Sequence, residues 1–110
     1  MVYYQGDDID FSIRALGAEW SDFTCVDIYF YTSEEHKVKY SSKYSSQPEY
    51  KPLTISDDFV KGVIPSDDTK LMRGNLIVEI HVQKQDGTDI CKRKRTNVTI
   101  EKTTIKQEVI

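Results

Sequence analysis

A strict alternation of apolar and polar residues is the feature that most constrains how this chain can fold. In its clearest example, residues 76–82, one face carries only leucine, valine and isoleucine, whereas the other face carries Ile77, Glu79 and His81. Successive side chains of a β-strand point to opposite faces of a sheet, so this pattern predicts a half-buried strand. The same alternation recurs at residues 9–14 and 24–32.

Weaker patterns complete the predicted architecture. Further strands are expected at residues 37–40, 53–55, 59–65 and 90–100, with Pro65 ending its strand because proline cannot donate to a ladder. Asp86-Gly87 predicts a tight hairpin turn, and residues 66–69 predict at most one helical turn. Six or seven short strands without a helical period indicate an all-β fold, a small antiparallel β-sandwich. We expect residues 1–102 to form this single domain and residues 103–110 to be a tail or connection.

Composition and charge narrow the class of partner. A chain of 110 residues with 38% hydrophobic and 30% charged residues is sufficient for one core. Its net charge of -3 provides no general attraction to nucleic acid or to an anionic membrane, so neither is expected as a partner. The first residues resemble no secretory signal, and we therefore expect synthesis in the cytoplasm.

Few residues suggest chemistry. Cys25 and Cys91 have no second cysteine at zinc-ligand spacing and are interpreted as small apolar fillers. His36 and His81 lie in different elements, and a pairing of His81 with either cysteine in space stays open. No catalytic, cofactor-binding or metal-binding residue is predicted, and no cofactor.

Acidic pairs form a second group of candidate residues. They fall in predicted turns, where aspartate bonds nearby backbone amides, and a calcium site built from two such loops stays open. The pairs are Asp7-Asp8, Asp57-Asp58 and Asp67-Asp68.

Two sets of residues are candidates for binding a partner. The basic run Lys92, Arg93, Lys94 and Arg95 would divide its charges between both faces of a strand, which favours a solvated strand or a row of salt bridges between subunits. Tyrosines are good anchors for proteins and stacking surfaces for sugars, although they also cover strand faces. The candidates in this group are Tyr29, Tyr31, Tyr40 and Tyr44. Trp20 is expected to be a structural plug.

The order of these motifs resembles a known family. Gln5-Gly6-Asp7 before an alternating strand, the segment Trp20-Ser21-Asp22-Phe23-Thr24, and the later Val63-Ile64-Pro65 are similar to the N-terminal domain of phage baseplate upper proteins and related phage or prophage immunoglobulin-like modules. The Ser- and Tyr-rich segment 41–52 departs from that pattern. The matched positions that the resemblance assigns to turns and strand starts are Gly6, Asp7, Pro65, Thr69 and Gly74.

The resemblance implies an immunoglobulin-like fold and a non-enzymatic structural role. Such a domain would be associated with a virion or tail and would assemble with copies of itself or with other virion proteins. The alternative is a β-sandwich carbohydrate-binding module that uses Trp20 and exposed tyrosines to bind a glycan.

Overall fold

The structure is a computed structural model that describes residues 1–15, 19–43, 49–56 and 59–102. Strands contain 66% of these residues and form two sheets, which confirms the all-β class. The helical residues are a short 3-10 helix at Trp20–Asp22 and one α-helical turn, α1, at Ser66–Thr69. Within the described part, no helix has the length and apolar character needed to span a membrane. The expected tail, residues 103–110, lies outside the described residues.

Each alternating segment forms a strand close to its expected bounds. In chain order the strands are β1 (Val2–Tyr4), β2 (Ile9–Arg14), β3 (Phe23–Ser33), β4 (His36–Ser41), β5 (Lys51–Pro52), β6 (Thr54–Ser56), β7 (Phe59–Ile64), β8 (Gly74–Lys84) and β9 (Asp89–Glu101).

The strands form a large sheet and a small one. The large sheet has the order β1-β9-β8-β3-β4-β5 and curls into a half-barrel, and the small sheet has the order β2-β7-β6. Two pairs, β1 with β9 and β4 with β5, are parallel, so the prediction of six or seven antiparallel strands was incomplete. β1 and β5 were missed because segments of three and two residues are too short to show an alternation.

The core lies between the two sheets and is rich in aromatic rings. The Phe11 ring of β2 lies 4.5 Å from Phe30 of β3 and 5.0 Å from Tyr40 of β4, measured between ring centroids. The Tyr40 hydroxyl donates to the carbonyl oxygen of Val63 and so joins the large sheet to the small one. Trp20 is also buried, and its indole nitrogen donates to the Ile13 carbonyl at 3.2 Å.

The turn after β1 packs on α1. The buried Thr69 hydroxyl donates to the Asp7 carbonyl at 2.7 Å and accepts a bond from the Gly6 amide at 3.1 Å. Gly6 has a φ of +93°, in the region that glycine adopts without strain. Pro65 occupies the N-cap position of α1, and its carbonyl accepts the Thr69 amide at 3.1 Å. Thr69 is the last residue of α1, and Gly74, with a φ of +104°, begins β8.

Candidate functional site

Two features of the large sheet stand out: the edge of β9 and the middle of the outer face, which points away from the small sheet. β1 pairs only with residues 99–101 of β9. Among the described residues, no strand lies beside residues 89–95 on that side. This part of β9 is therefore an edge strand, with backbone amides and carbonyls that are open to another chain.

The basic run lies on this edge and is divided as the alternation predicts. Arg93 lies opposite Glu79 in the pairing of β8 with β9, and Arg95 lies opposite Ile77, so both belong to the outer face. Lys92 and Lys94 are directed to the other face. All four basic residues are exposed, which leaves their charges accessible to a partner.

His81, Cys91 and Glu79 converge at the middle of the outer face. His81 lies directly opposite Cys91, and their Nε2 and Sγ atoms are 3.5 Å apart. The same Nε2 lies 2.7 Å from Oε2 of Glu79. An open depression of about 390 Å³ lies beside the cluster, with Cys25 and Asp27 of β3 in its lining.

Neighbouring rings hold the carboxylate and the imidazole in place. The Tyr31 hydroxyl donates to Oε1 of Glu79 at 2.9 Å, and the Tyr29 ring stands edge-on to His81 with 5.1 Å between centroids. The hydrogen bond from His81 is the main cause that lowers the pKa of Glu79, with a smaller contribution from Tyr31. Glu79 therefore remains a carboxylate with both oxygens engaged.

This arrangement differs from a catalytic triad, which consists of a nucleophile, a base and an acid that orients the base. In such a triad the imidazole uses one nitrogen for the nucleophile and the other for the acid. Here Cys91 and Glu79 both approach Nε2. Cys25, the other thiol in the depression, has a pKa raised by burial and then by the nearby Asp27 charge, so it is a weak nucleophile.

The sequence contained only part of the signal for the His81–Cys91 pairing. The expected hairpin turn is present, but a two-residue turn at Asp86-Gly87 would pair His81 with Lys92, whereas the observed register pairs His81 with Cys91. Glu79 shares their face because it is two residues before His81. Sequence reasoning left the pairing open and missed Glu79 because the turn residues do not specify whether the loop has two or three residues, and one residue changes the register.

The structure separates the four candidate tyrosines. Tyr40 and Tyr31 are each only 1% exposed, so neither ring is accessible to a partner, which corrects their assignment as partner-binding residues. The alternation of β4 places Tyr40 on the same face as the buried Val38. Tyr29 is half-buried and its hydroxyl lies 2.8 Å from that of Tyr50. Tyr44 lies outside the described residues.

The acidic pairs among the described residues have partners within the fold. Oδ2 of Asp7 accepts the Tyr4 amide at 2.8 Å, and Oδ1 of Asp8 accepts the Ser66 amide at 2.7 Å. Asp68 lies 3.3 Å from Nε2 of His36. The Asp7 contact fits the turn-forming role of aspartate, whereas the contacts of Asp8 and Asp68 join segments that are distant in the chain. Asp57-Asp58 lies outside the described residues.

Comparisons with protein-family models, with curated proteins and with solved structures find no match to this chain.

Proposed function

We propose that this chain is a non-enzymatic assembly module in which the basic edge of β9 docks against the acidic surface of a second copy. The observation that carries the proposal is the outer edge of β9 at residues 89–95, beside which the described residues place no strand, with its four exposed basic side chains. An open strand edge can form main-chain hydrogen bonds with another chain, and flanking charges select that chain.

The distribution of charge supports a head-to-tail contact between copies. The chain carries 18 acidic and 15 basic residues, and four of the basic residues lie together on β9, so the rest of the molecule is more acidic than the whole. Pairing of two β9 edges is unfavourable because like charges directly across a strand pair are destabilising. A basic edge that meets an acidic surface forms a contact between two different patches, which generates rings or filaments.

We also propose that the fold is an immunoglobulin-like sandwich of the variable type. That fold has nine strands, with strands B, E and D in one sheet and G, F, C and C′ in the other. Numbering this chain in the same way makes β2-β7-β6 equivalent to B-E-D and β9-β8-β3-β4 equivalent to G-F-C-C′. The chain departs from antibody domains in its cysteines, since Cys25 lies on β3 and Cys91 on β9 rather than on the equivalents of B and F.

This topology is compatible with the resemblance to phage immunoglobulin-like modules, and we propose a virion-associated or tail-associated role on that basis. The carbohydrate-binding alternative receives less support. Trp20 is buried in the core, and Tyr31 and Tyr40 are buried as well. A sugar platform needs exposed rings.

Amide hydrogen exchange at two protein concentrations tests which surface makes the contact. We expect residues 89–95 to exchange more slowly at high concentration, and added salt to remove this protection because the contact is electrostatic. β6, an edge strand of the small sheet without a basic run, is the internal control and should not change. Exchange of residues 89–95 that is independent of concentration would contradict the proposal.

A further inference from the structure

We propose that Glu79, His81 and Cys91 form a zinc-binding site on the outer face of the large sheet. It uses different groups from the assembly role, because its ligands are three side chains of the outer face, whereas the assembly contact uses the main-chain edge and the basic side chains of β9. The proposal begins from convergence: one nitrogen, one sulfur and one carboxylate oxygen lie within 4.8 Å of one another, and no other such group of three is found in the described residues.

One hydrogen bond, to Glu79, accounts for only part of the contacts around Nε2. Nε2 lies 2.7 Å from Oε2 of Glu79 and 3.5 Å from Sγ of Cys91. A ring nitrogen carries at most one proton, which can be shared well with only one of these two partners. A cation at the centre of the three atoms would attract the lone pairs of all of them at once.

One of the three spacings matches a tetrahedral zinc site, and the three atoms together lie within 4.8 Å of one another. Bonds of about 2.0–2.1 Å to nitrogen and about 2.3 Å to sulfur place two tetrahedral ligand atoms about 3.5 Å apart. The observed Nε2–Sγ distance is 3.5 Å. The Nε2–Oε2 distance of 2.7 Å needs to widen by less than about 1 Å, which a small rotation of the half-buried His81 ring would provide.

The ligand types select the metal. Calcium and magnesium prefer sites made of oxygen alone, whereas a combination of imidazole, thiolate and carboxylate suits zinc. Three protein ligands leave a fourth position, and the depression beside the cluster would admit water there. Asp27 lies opposite His81 on β3 and lines the same depression, so a carboxylate is also near this position.

The surroundings of the cluster also fit a metal site. Ligating carboxylates are usually held by further hydrogen bonds, and the Tyr31 hydroxyl provides one to Oε1 of Glu79 at 2.9 Å. Arg93, the cation opposite Glu79, is directed to a different acid: its guanidinium lies 3.1 Å from Oε1 of Glu34. Glu79 thus keeps Oε2 for the centre of the cluster.

Binding of zinc and cobalt to the purified chain without an affinity tag tests the proposal. We expect one equivalent of Zn²⁺ by calorimetry, and with Co²⁺ the absorption bands of a thiolate-bound tetrahedral ion. Cys91→Ser and His81→Gln should each weaken Zn²⁺ binding at least tenfold, and Cys91→Ser should abolish the thiolate band. Cys25→Ser is the matched control, since it removes the other thiol beside the depression and should leave both signals unchanged.

Alkylation of the unmodified chain provides a test that does not depend on variants folding. Zn²⁺ should slow the reaction of Cys91 with iodoacetamide, measured by peptide mass spectrometry, without slowing that of Cys25. No Zn²⁺ binding, equal alkylation of Cys91 with and without Zn²⁺, or binding that survives in Cys91→Ser would overturn the proposal. Loss of zinc binding would leave the concentration-dependent exchange of β9 unaffected, so the two proposals fail separately.

Discussion

At the scale of single residues, Tyr40 shows how one polar atom connects two sheets. Its ring is buried and its hydroxyl donates to the Val63 carbonyl of the small sheet. Tyr40→Phe removes this bond and keeps the ring, so we expect the free energy of unfolding in urea to fall by about 1 kcal/mol. Tyr4→Phe, at an exposed ring, is the control and should have no measurable effect. Equal unfolding free energies for Tyr40→Phe and the unmodified chain would rule out this role.

The buried phenols also predict an alkaline limit to stability. Burial, followed by the Asp68 charge, raises the pKa of Tyr40 above its ordinary value of 10.0. Burial and the bond to Glu79 raise the pKa of Tyr31 to about 12. A raised pKa in the folded state means that folding favours the neutral phenol, so this stability is complete below pH 10 and is lost as the pH rises towards 12.

Urea unfolding measured at about pH 9 and about pH 11 tests this dependence. We expect the free energy of unfolding to be lower at the higher pH, and the decrease to be smaller in Tyr31→Phe. A free energy that is the same at both values would contradict the assignment of neutral buried phenols.

At this scale the sequence predicted some environments and missed others. Trp20 was expected to plug the core and is buried. Tyr31 was wrongly assigned to a partner-binding surface because it lies on the outer face, where a tyrosine ring is expected to be exposed to solvent. Lys37 and Arg93 instead lie 4.6 Å and 5.5 Å from the centre of its ring and cover it. Cover of this kind depends on neighbouring strands, which local patterns do not reveal.

At the scale of elements, Gly62 of β7 leaves the space that the Phe11 ring of the neighbouring β2 occupies. An added Cβ at Gly62 would lie 2.5 Å from Cζ of Phe11. The Phe11 ring has little freedom to move because it already contacts Phe30 and Tyr40. We therefore expect Gly62→Ala to lower the free energy of unfolding by about 1–3 kcal/mol.

A double-mutant cycle separates this clash from a general effect of removing glycine. Phe11→Leu takes away the ring, so Gly62→Ala should cost less in that background than in the unmodified chain. Lys61→Ala, at the exposed neighbouring position, is the control and should change stability by less than about 0.5 kcal/mol. The same cost with and without Phe11 would show that the ring is not the cause.

Elements with enough residues to show a period were predicted well. β2, β3, β8 and the hairpin turn at Asp86-Gly87 lie close to the expected positions. The turn works because Gly87 adopts a φ of +89°. The short strands β1 and β5 were not predictable in this way. They form by parallel pairing with distant segments, and such pairing leaves no local pattern.

At the scale of the whole molecule, the strand order and the position of the basic run depend on how distant segments pair. Local alternation predicted two-faced strands, but the order of strands within each sheet follows from long-range packing that a single sequence does not specify. The basic run was recognised and its division between two faces was expected. Its place at an open edge follows from the pairing of β1, which covers only residues 99–101 of β9.

The most direct test of the assembly proposal is the solution mass by light scattering, measured over protein concentration and salt. We predict a mass above that of the monomer at low salt that falls towards the monomer as salt rises. The paired change Arg93→Glu with Arg95→Glu should give the monomer throughout, whereas Lys61→Glu with Lys84→Glu should keep the assembly. A monomer at every salt and concentration for the unmodified chain would contradict the account.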